Sequence, residues 1–162
     1  MDLSRFKYDE TSPSCLTRDG LPVGWLSKNG YWVIKLNKKT KTTVHRVIWQ
    51  LLNGPVQDGL VVDHIDRNKL NNRISNLRLA TYSQNGTNRS KRKNTASGMI
   101  GVYIDNRGKF IPYLVINGKR KSLGAYKSKY DAALRRDMAA WRVYGEYGNY
   151  NYPDFVKAYL GK

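Results

Sequence analysis

The stretch Leu60–Val61–Val62–Asp63–His64–Ile65, followed by Arg78–Leu79–Ala80 and Thr81–Tyr82–Ser83–Gln84–Asn85, decides how this chain folds. Leu60 to Ile65 is a short run of strand formers that ends in two reactive side chains. Asp66 to Leu77 is too polar for a strand and too rich in asparagine for a stable helix, so it reads as a long ordered loop. Arg78–Leu79–Ala80 reads as a second strand. Thr81 and Gln84 have capping-box spacing, which predicts a helix running to about Arg89. Neighbours on a strand point to opposite faces. Asp63 can therefore hold a metal on one side while His64 points to a water on the other. Histidine ordinarily titrates at about pH 6.5, which suits a general base at neutral pH. Taken alone, the Asp–His pair also fits a surface turn with a structural histidine.

Asn76 lies twelve residues after His64 and can tie the loop to the backbone near His64 and fix the imidazole. Asn85, on the capped helix, would supply an oxygen ligand beside Asp63. Oxygen ligands suit Mg²⁺ or Mn²⁺, with waters and phosphate oxygens completing the shell. Arg73 and Arg78 can clamp phosphate or serve as surface charge. His45 either packs under the site or touches substrate. Asn72 and Asn88 read as fasteners of loop and helix rather than metal ligands. Gly86, inside the predicted helix, costs about 1 kcal/mol against alanine. A close backbone or DNA approach would explain it.

Before this segment, residues 1–29 are turn-rich and predict irregular structure with one short strand. Residues 31–36 and 41–44 read as a hairpin around the polar turn 37–40. Arg46–Leu52 reads as a short helix stopped by Gly54–Pro55. After it, Ser90–Ser97 reads as a linker. Its Lys91, Arg92 and Lys93 lie along phosphates or form a solvated connector. Met99–Ile104, Phe110–Ile116 and Arg120–Gly124 read as three strands, with a strong two-residue turn signal at Asn117–Gly118. Ser128–Tyr144 reads as a helix with a low alanine side, backing the three-stranded sheet. Alternation turns Val102, Phe110, Pro112 and Leu114 toward that helix. It turns Tyr103, Tyr113, Val115, Arg120 and Ser122 outward. Arg107 and Arg120 are candidates for base or phosphate contact, and Lys109 and Lys121 for phosphate; each is otherwise ordinary surface charge.

The 162 residues make room for one ordinary domain or two very small ones. Lys and Arg number 29 against 12 Asp and Glu, a net charge of +17 and a pI near 10.1, with the excess spread along the chain. Such a protein attracts polyanions strongly. A single cysteine, Cys15, excludes an internal disulfide framework and a cysteine zinc knuckle. No run approaches a membrane span, and residues 1–19 lack the apolar stretch of a signal peptide. A cytoplasmic protein with no membrane partner is expected.

Residues 44–89 resemble the His-Asn-His (HNH) homing-type endonucleases of phages and introns. The resemblance rests on Val44–His45–Arg46, Val62–Asp63–His64–Ile65–Asp66, the run from Asn68 through Asn71–Asn72 to Asn76–Leu77–Arg78, and Ala80–Thr81–Tyr82–Ser83–Gln84–Asn85. It implies an α+β chain with a ββα-metal (His-Me finger) core. Asp63 and Asn85 would hold a single metal, His64 would be the general base, and Asn76 would orient the histidine loop. Asn85 stands where many members carry histidine, which favours Mg²⁺, with Mn²⁺ substituting, over zinc or nickel.

Residues 98–153 resemble the plant ethylene-response-factor (AP2/ERF) DNA-binding domain. The matching residues include Gly101–Val102, Gly108–Lys109–Phe110, Leu123–Gly124–Ala125–Tyr126, Ala132–Ala133, Asp137 and Asn151–Tyr152–Pro153. That family places one sheet face in the major groove. Tyr103, Asp105, Arg107 and Ser122 stand where plant members carry base-reading arginine and tryptophan, so the plant target sequence does not carry over.

The expectation is a metal-dependent endonuclease of duplex DNA, phage-encoded and homing-type, acting in a bacterial host. A nuclease domain would span 1–89, a basic linker 90–97 and the DNA-binding domain 98–162. It would act as a monomer or weak dimer on DNA, nick or cut both strands, and leave 5′-phosphate and 3′-hydroxyl ends. The alternative is a catalytically inactive, sequence-specific DNA-binding regulator, whose mark would be loss of Asp63, His64 or Asn85; all three are present. A protein that merely coats nucleic acid would explain the charge but not the ordered spacing.

Overall fold

A computed structural model describes residues 3–88, 96–116 and 118–160. Lys91, Arg92 and Lys93 lie outside the described residues, as does Asn117 of the two-residue turn. The chain divides into two compact units, Met1–Asn85 and Gly86–Lys162. The division falls earlier than the expected linker. The helix ends at Thr87 rather than Arg89, and the Thr87 hydroxyl donates to the Tyr147 carbonyl at 2.8 Å, within the second unit.

The first unit opens with β1 (Phe6–Tyr8), β2 (Leu16–Arg18) and β3 (Leu21–Pro22), an antiparallel sheet in that order. This corrects the expectation of irregular structure with one strand. The strands are two or three residues long, below the length at which alternation is visible. They are held by local bonds: Ser12 Oγ donates to the Leu16 carbonyl, and Arg5 pairs with Asp19.

A second antiparallel sheet comprises β4 (Trp25–Leu26), β5 (Trp32–Lys35) and β6 (Lys41–Thr43). Helix α1 (Val44–Asn53) follows and starts two residues earlier than its pattern suggests. Val44, Val47 and Ile48 stand at i, i+3 and i+4 and are completely buried. Gly54, at φ 84, ends the helix with its N–H on the Gln50 carbonyl. These residues join Phe6, Leu16, Ile34, Val62 and Leu77 in one core. Full burial of each such side chain stabilises the fold by roughly 1.5–3 kcal/mol.

Resting on that core is the antiparallel hairpin of β7 (Leu60–His64) and β8 (Leu77–Thr81), followed by α2 (Tyr82–Thr87). The capping box forms as its spacing predicts. The Thr81 N–H donates to Gln84 Oε1 at 2.8 Å, and the Gln84 N–H donates to Thr81 Oγ1 at 3.2 Å.

The second unit is an antiparallel sheet in the order β11 (Lys119–Ser122), β10 (Phe110–Ile116), β9 (Val102–Ile104), with helix α3 (Lys129–Tyr144) packed against it. Ser128 caps α3 by accepting from the Asp131 N–H, and Ala132, Ala133 and Ala140 are completely buried. Small side chains there let helix and sheet approach closely. Gly101 serves the same approach: at φ +66, a Cβ would lie 2.9 Å from Arg136 Nε and 3.0 Å from the Tyr113 carbonyl.

Buried Asp137 on α3 accepts from the Asn151 and Tyr152 N–H groups at 2.6 and 2.8 Å. That latch leads into a helix the sequence did not announce, α4 (Pro153–Leu160). Among the described residues, no helix is long and apolar enough to cross a membrane.

Candidate functional site

The β7–β8 register places Asp63 opposite Arg78 and His64 opposite Leu77. Cross-strand partners share a face, so Asp63 and His64 diverge. Both are buried, with relative exposures of 8% and 4%. Asp63 Oδ2 accepts from Arg78 Nη2 at 3.1 Å and Nε at 3.2 Å. Arg78, a candidate phosphate clamp from sequence, is therefore engaged with the carboxylate it faces. Arg73 is the more exposed of the two arginines and lies 3.8 Å from Glu10.

Asn76 ties the loop to the backbone beside His64, as expected, while the imidazole itself meets Asn72. His64 Nε2 lies 3.0 Å from Asn72 Oδ1, and Asn72 is completely buried. Asn76 instead fastens the loop. Its Oδ1 accepts from the Asp66 N–H, its Nδ2 donates to Asp66 Oδ1 and to the Asn71 carbonyl, and its own carbonyl accepts from the Ile65 N–H. Burial alone would raise the Asp66 carboxyl, but donors from Asn71, the Asn68 amide and Asn76 bring it below the usual range. The loop is thus pinned on both sides of His64. The Asn71–Asn72 doublet was the only sequence signal of the ring's partner, and periodicity does not single it out.

His45, the first buried turn of α1, packs its ring edge-on against His64 at a centroid distance of 4.7 Å. Tyr31 lies 5.5 Å from His45 and 6.1 Å from His64, and Lys69 Nζ sits 4.4 Å over the Tyr31 ring. Burial, then the neighbouring His64 and Arg46, push the His45 pKa down to about 3. His45 is therefore a neutral ring under the site. Asn85 sits on α2, partly buried, and its side chain bonds to no described residue.

In the second unit, the register sets Ile111 opposite Tyr103, Tyr113 opposite Ser122 and Val115 opposite Arg120. These share the sheet face away from α3. The Arg120 guanidinium lies 4.1 Å over the Tyr113 ring and 5.7 Å from that of Tyr103. Asp105 Oδ1 holds the turn by accepting from the Arg107 and Lys109 N–H groups, and both side chains are exposed. Lys121 pairs with buried Leu114, so it stands on the opposite face from Arg120, exposed at the edge strand.

A family model described as HNH endonuclease matches residues 42–87. Over 132 residues, 81% of this chain and 67% of the relative, the sequence is 36% identical to the HNH endonuclease L560 of Acanthamoeba polyphaga mimivirus. Over 58 residues, 36% of this chain and 48% of the relative, it is 41% identical to Protein 3.8 of Escherichia phage T7. A solved structure reporting DNA binding and cleavage by the HNH homing endonuclease I-HmuI matches with a TM-score of 0.42 and 22% identity, covering 89% of this chain and 91% of that one. The chain belongs to the HNH endonuclease family. It is a nuclease, and the hairpin, loop and helix of residues 60–87 lie within its family match.

Proposed function

We propose that the protein is a metal-dependent endonuclease of duplex DNA, of the phage-encoded homing type. Residues 1–89 would form a ββα-metal nuclease domain and 90–97 a basic linker. Residues 98–162 would form an AP2/ERF-like domain that holds the duplex. The observation that carries this reading is the adjacent, divergent and buried pair Asp63 and His64 at the end of β7, with Asn85 on the helix that follows β8.

The donor set suits a hard divalent cation. Asp63 offers a carboxylate and Asn85 an amide oxygen, and no group of three His, Cys, Asp or Glu forms a closed metal cage among the described residues. One carboxylate with one neutral oxygen leaves room for waters and phosphate oxygens, as Mg²⁺ prefers, with Mn²⁺ able to substitute. HNH nucleases generally depend on divalent metals. When bound, such an ion stabilises the added negative charge on the phosphate and the departing oxygen.

The chain's own residues do the rest. His64 takes a proton from the attacking water, whose oxygen bonds to phosphorus as the P–O3′ bond breaks. The 3′-oxygen collects a proton from solvent, leaving 5′-phosphate and 3′-hydroxyl ends. Asp63, bonded to Arg78 in this structure, would be the residue to hold the cation, with the Arg78 guanidinium beside it for the phosphate. Tyr103, Arg107, Lys109, Tyr113, Arg120 and Ser122 would meet the duplex, with Arg73 near the cut. One active site per chain makes nicking natural for a monomer; cutting both strands needs a weak dimer on DNA or two events.

The test is cleavage of supercoiled DNA with Mg²⁺ by the native protein and by His64→Ala. The native protein should cut, and the variant should bind equally but cut about 10²–10⁴-fold more slowly. A folded His64→Ala protein with full activity would sink the assignment.

A further inference from the structure

The His64 ring has two nitrogens, and the neutral form carries its hydrogen on only one of them. The hydrogen bonds of its partner point to one of them. Asn72 Nδ2 donates to the Ser14 carbonyl at 3.1 Å, and a carbonyl can only accept. The other end of the carboxamide, Oδ1, therefore faces His64 Nε2 at 3.0 Å. Oδ1 is also purely an acceptor, so Nε2 must be the protonated nitrogen. The ring's lone pair then lies on Nδ1. The other tautomer would set two lone pairs against each other and lose a buried hydrogen bond.

We propose that Asn72 is a positioning residue that holds His64 in its Nε2–H form, so that Nδ1 is the atom that takes the proton from the attacking water. This rests on the reading of His64 as the general base.

Ser14 is itself held tightly, with 1% exposure. Its hydroxyl donates to the Val23 carbonyl, and the next residue, Cys15, adopts the left-handed φ of 62° with its N–H on the Ser12 carbonyl. That turn aims the Ser14 carbonyl at Asn72. A second tie joins the same sheet to the loop: the Ile74 N–H donates to the Tyr8 hydroxyl at 3.0 Å. Ser14 and Tyr8 both precede residues 42–87, where the family match lies. The N-terminal sheet is thus part of the device that orients the base.

The chain has only two histidines, which makes a direct test practical. Long-range ¹H–¹⁵N spectra of histidine-labelled full-length protein at about pH 8, where a free imidazole is neutral, report the tautomer of each ring. His64→Ala assigns the signals.

The native His64 should be in the Nε2–H form. Asn72→Leu should let the Nδ1–H form appear beside Nε2–H, as in a free imidazole, and slow turnover about 10–100-fold, the usual cost of losing an orienting partner, with DNA affinity unchanged. Asn72→Asp keeps an acceptor facing Nε2 but sets its second oxygen against the Ser14 carbonyl. It should retain the tautomer and cut faster than Asn72→Leu. A native His64 with any substantial Nδ1–H form, or a ring still wholly Nε2–H in Asn72→Leu, overturns the proposal. A native Nδ1–H form overturns it even where a variant folds poorly. If His64 shows the Nε2–H form but His64→Ala cuts DNA normally, the base assignment falls while the tautomer result stands.

Discussion

The β7–β8 hairpin and the β9–β11 sheet are both small antiparallel structures, yet they hold their candidate residues in opposite ways. On the hairpin, Asp63, His64 and Asn72 are all buried, and each has a hydrogen-bonding partner in the chain. On the sheet, Tyr103 is 40% exposed and Arg120 is exposed, positioned by ring stacking rather than by a buried bond. The difference fits the roles proposed for the two regions. A base must present one nitrogen in one place, which requires fixing both rotamer and tautomer. Burying polar groups is tolerable only when each is paired. Side chains that meet a polyanion gain from charge at any of several geometries and lose by being desolvated beforehand.

Acid should break this contrast first. Folded His45 resists protonation down to about 3, while the unfolded chain takes up the proton near the ordinary 6.5. Between those values the unfolded state binds more protons. Stability is therefore complete above about 6.5 and declines as the pH falls toward 3, by on the order of a few kcal/mol. Three of the four tryptophans, Trp25, Trp32 and Trp49, lie in the first unit, so their fluorescence during denaturant unfolding follows it. His45→Phe should flatten the decline in that window. An equally steep decline in the variant would show that the buried ring is not its cause.

Arg120→Ala sharpens the contrast from the other side. It should weaken DNA binding by about 1–3 kcal/mol without changing the rate at saturating DNA. A salt slope reduced by about one would mark a phosphate contact, and relaxed sequence preference would mark a base contact. Unchanged affinity would remove this sheet face from the interface.

The smallest expected effect is at Gly86, beside Asn85. A Cβ there meets nothing within 4 Å among the described residues, which give no reason for glycine. Gly86→Ala should raise thermal stability by about 1 kcal/mol. It should also reduce cleavage, because the methyl would intrude where nucleic acid approaches. Greater stability with undiminished cutting would rule out that approach.

Much of this was legible beforehand. The hairpin ending in Asp63–His64, the Thr81–Gln84 capping box, and the three strands and capped helix after residue 98 each follow from local signals: β-branched runs, cap spacing and turn residues. The N-terminal sheet was not legible, because strands of two or three residues carry no period. The final helix α4 was missed as well. Its position depends on Asp137 accepting from the Asn151 and Tyr152 backbone, a bond between distant parts of the chain.

What the sequence determined by itself was the chemistry available: a carboxylate beside an imidazole on a strand, asparagines at set intervals, and a strong positive charge. Those are properties of residue type and spacing, which no folding event alters. Tertiary structure alone decided which partner each group meets. Asn72 meets the His64 ring while Asn76 fastens its loop, Arg78 closes on Asp63, and a carbonyl fifty-eight residues away orients Asn72. The reason is physical: a hydrogen bond depends on ångström-scale placement of two atoms. That placement is set by packing between segments far apart in the chain, and no local pattern encodes it.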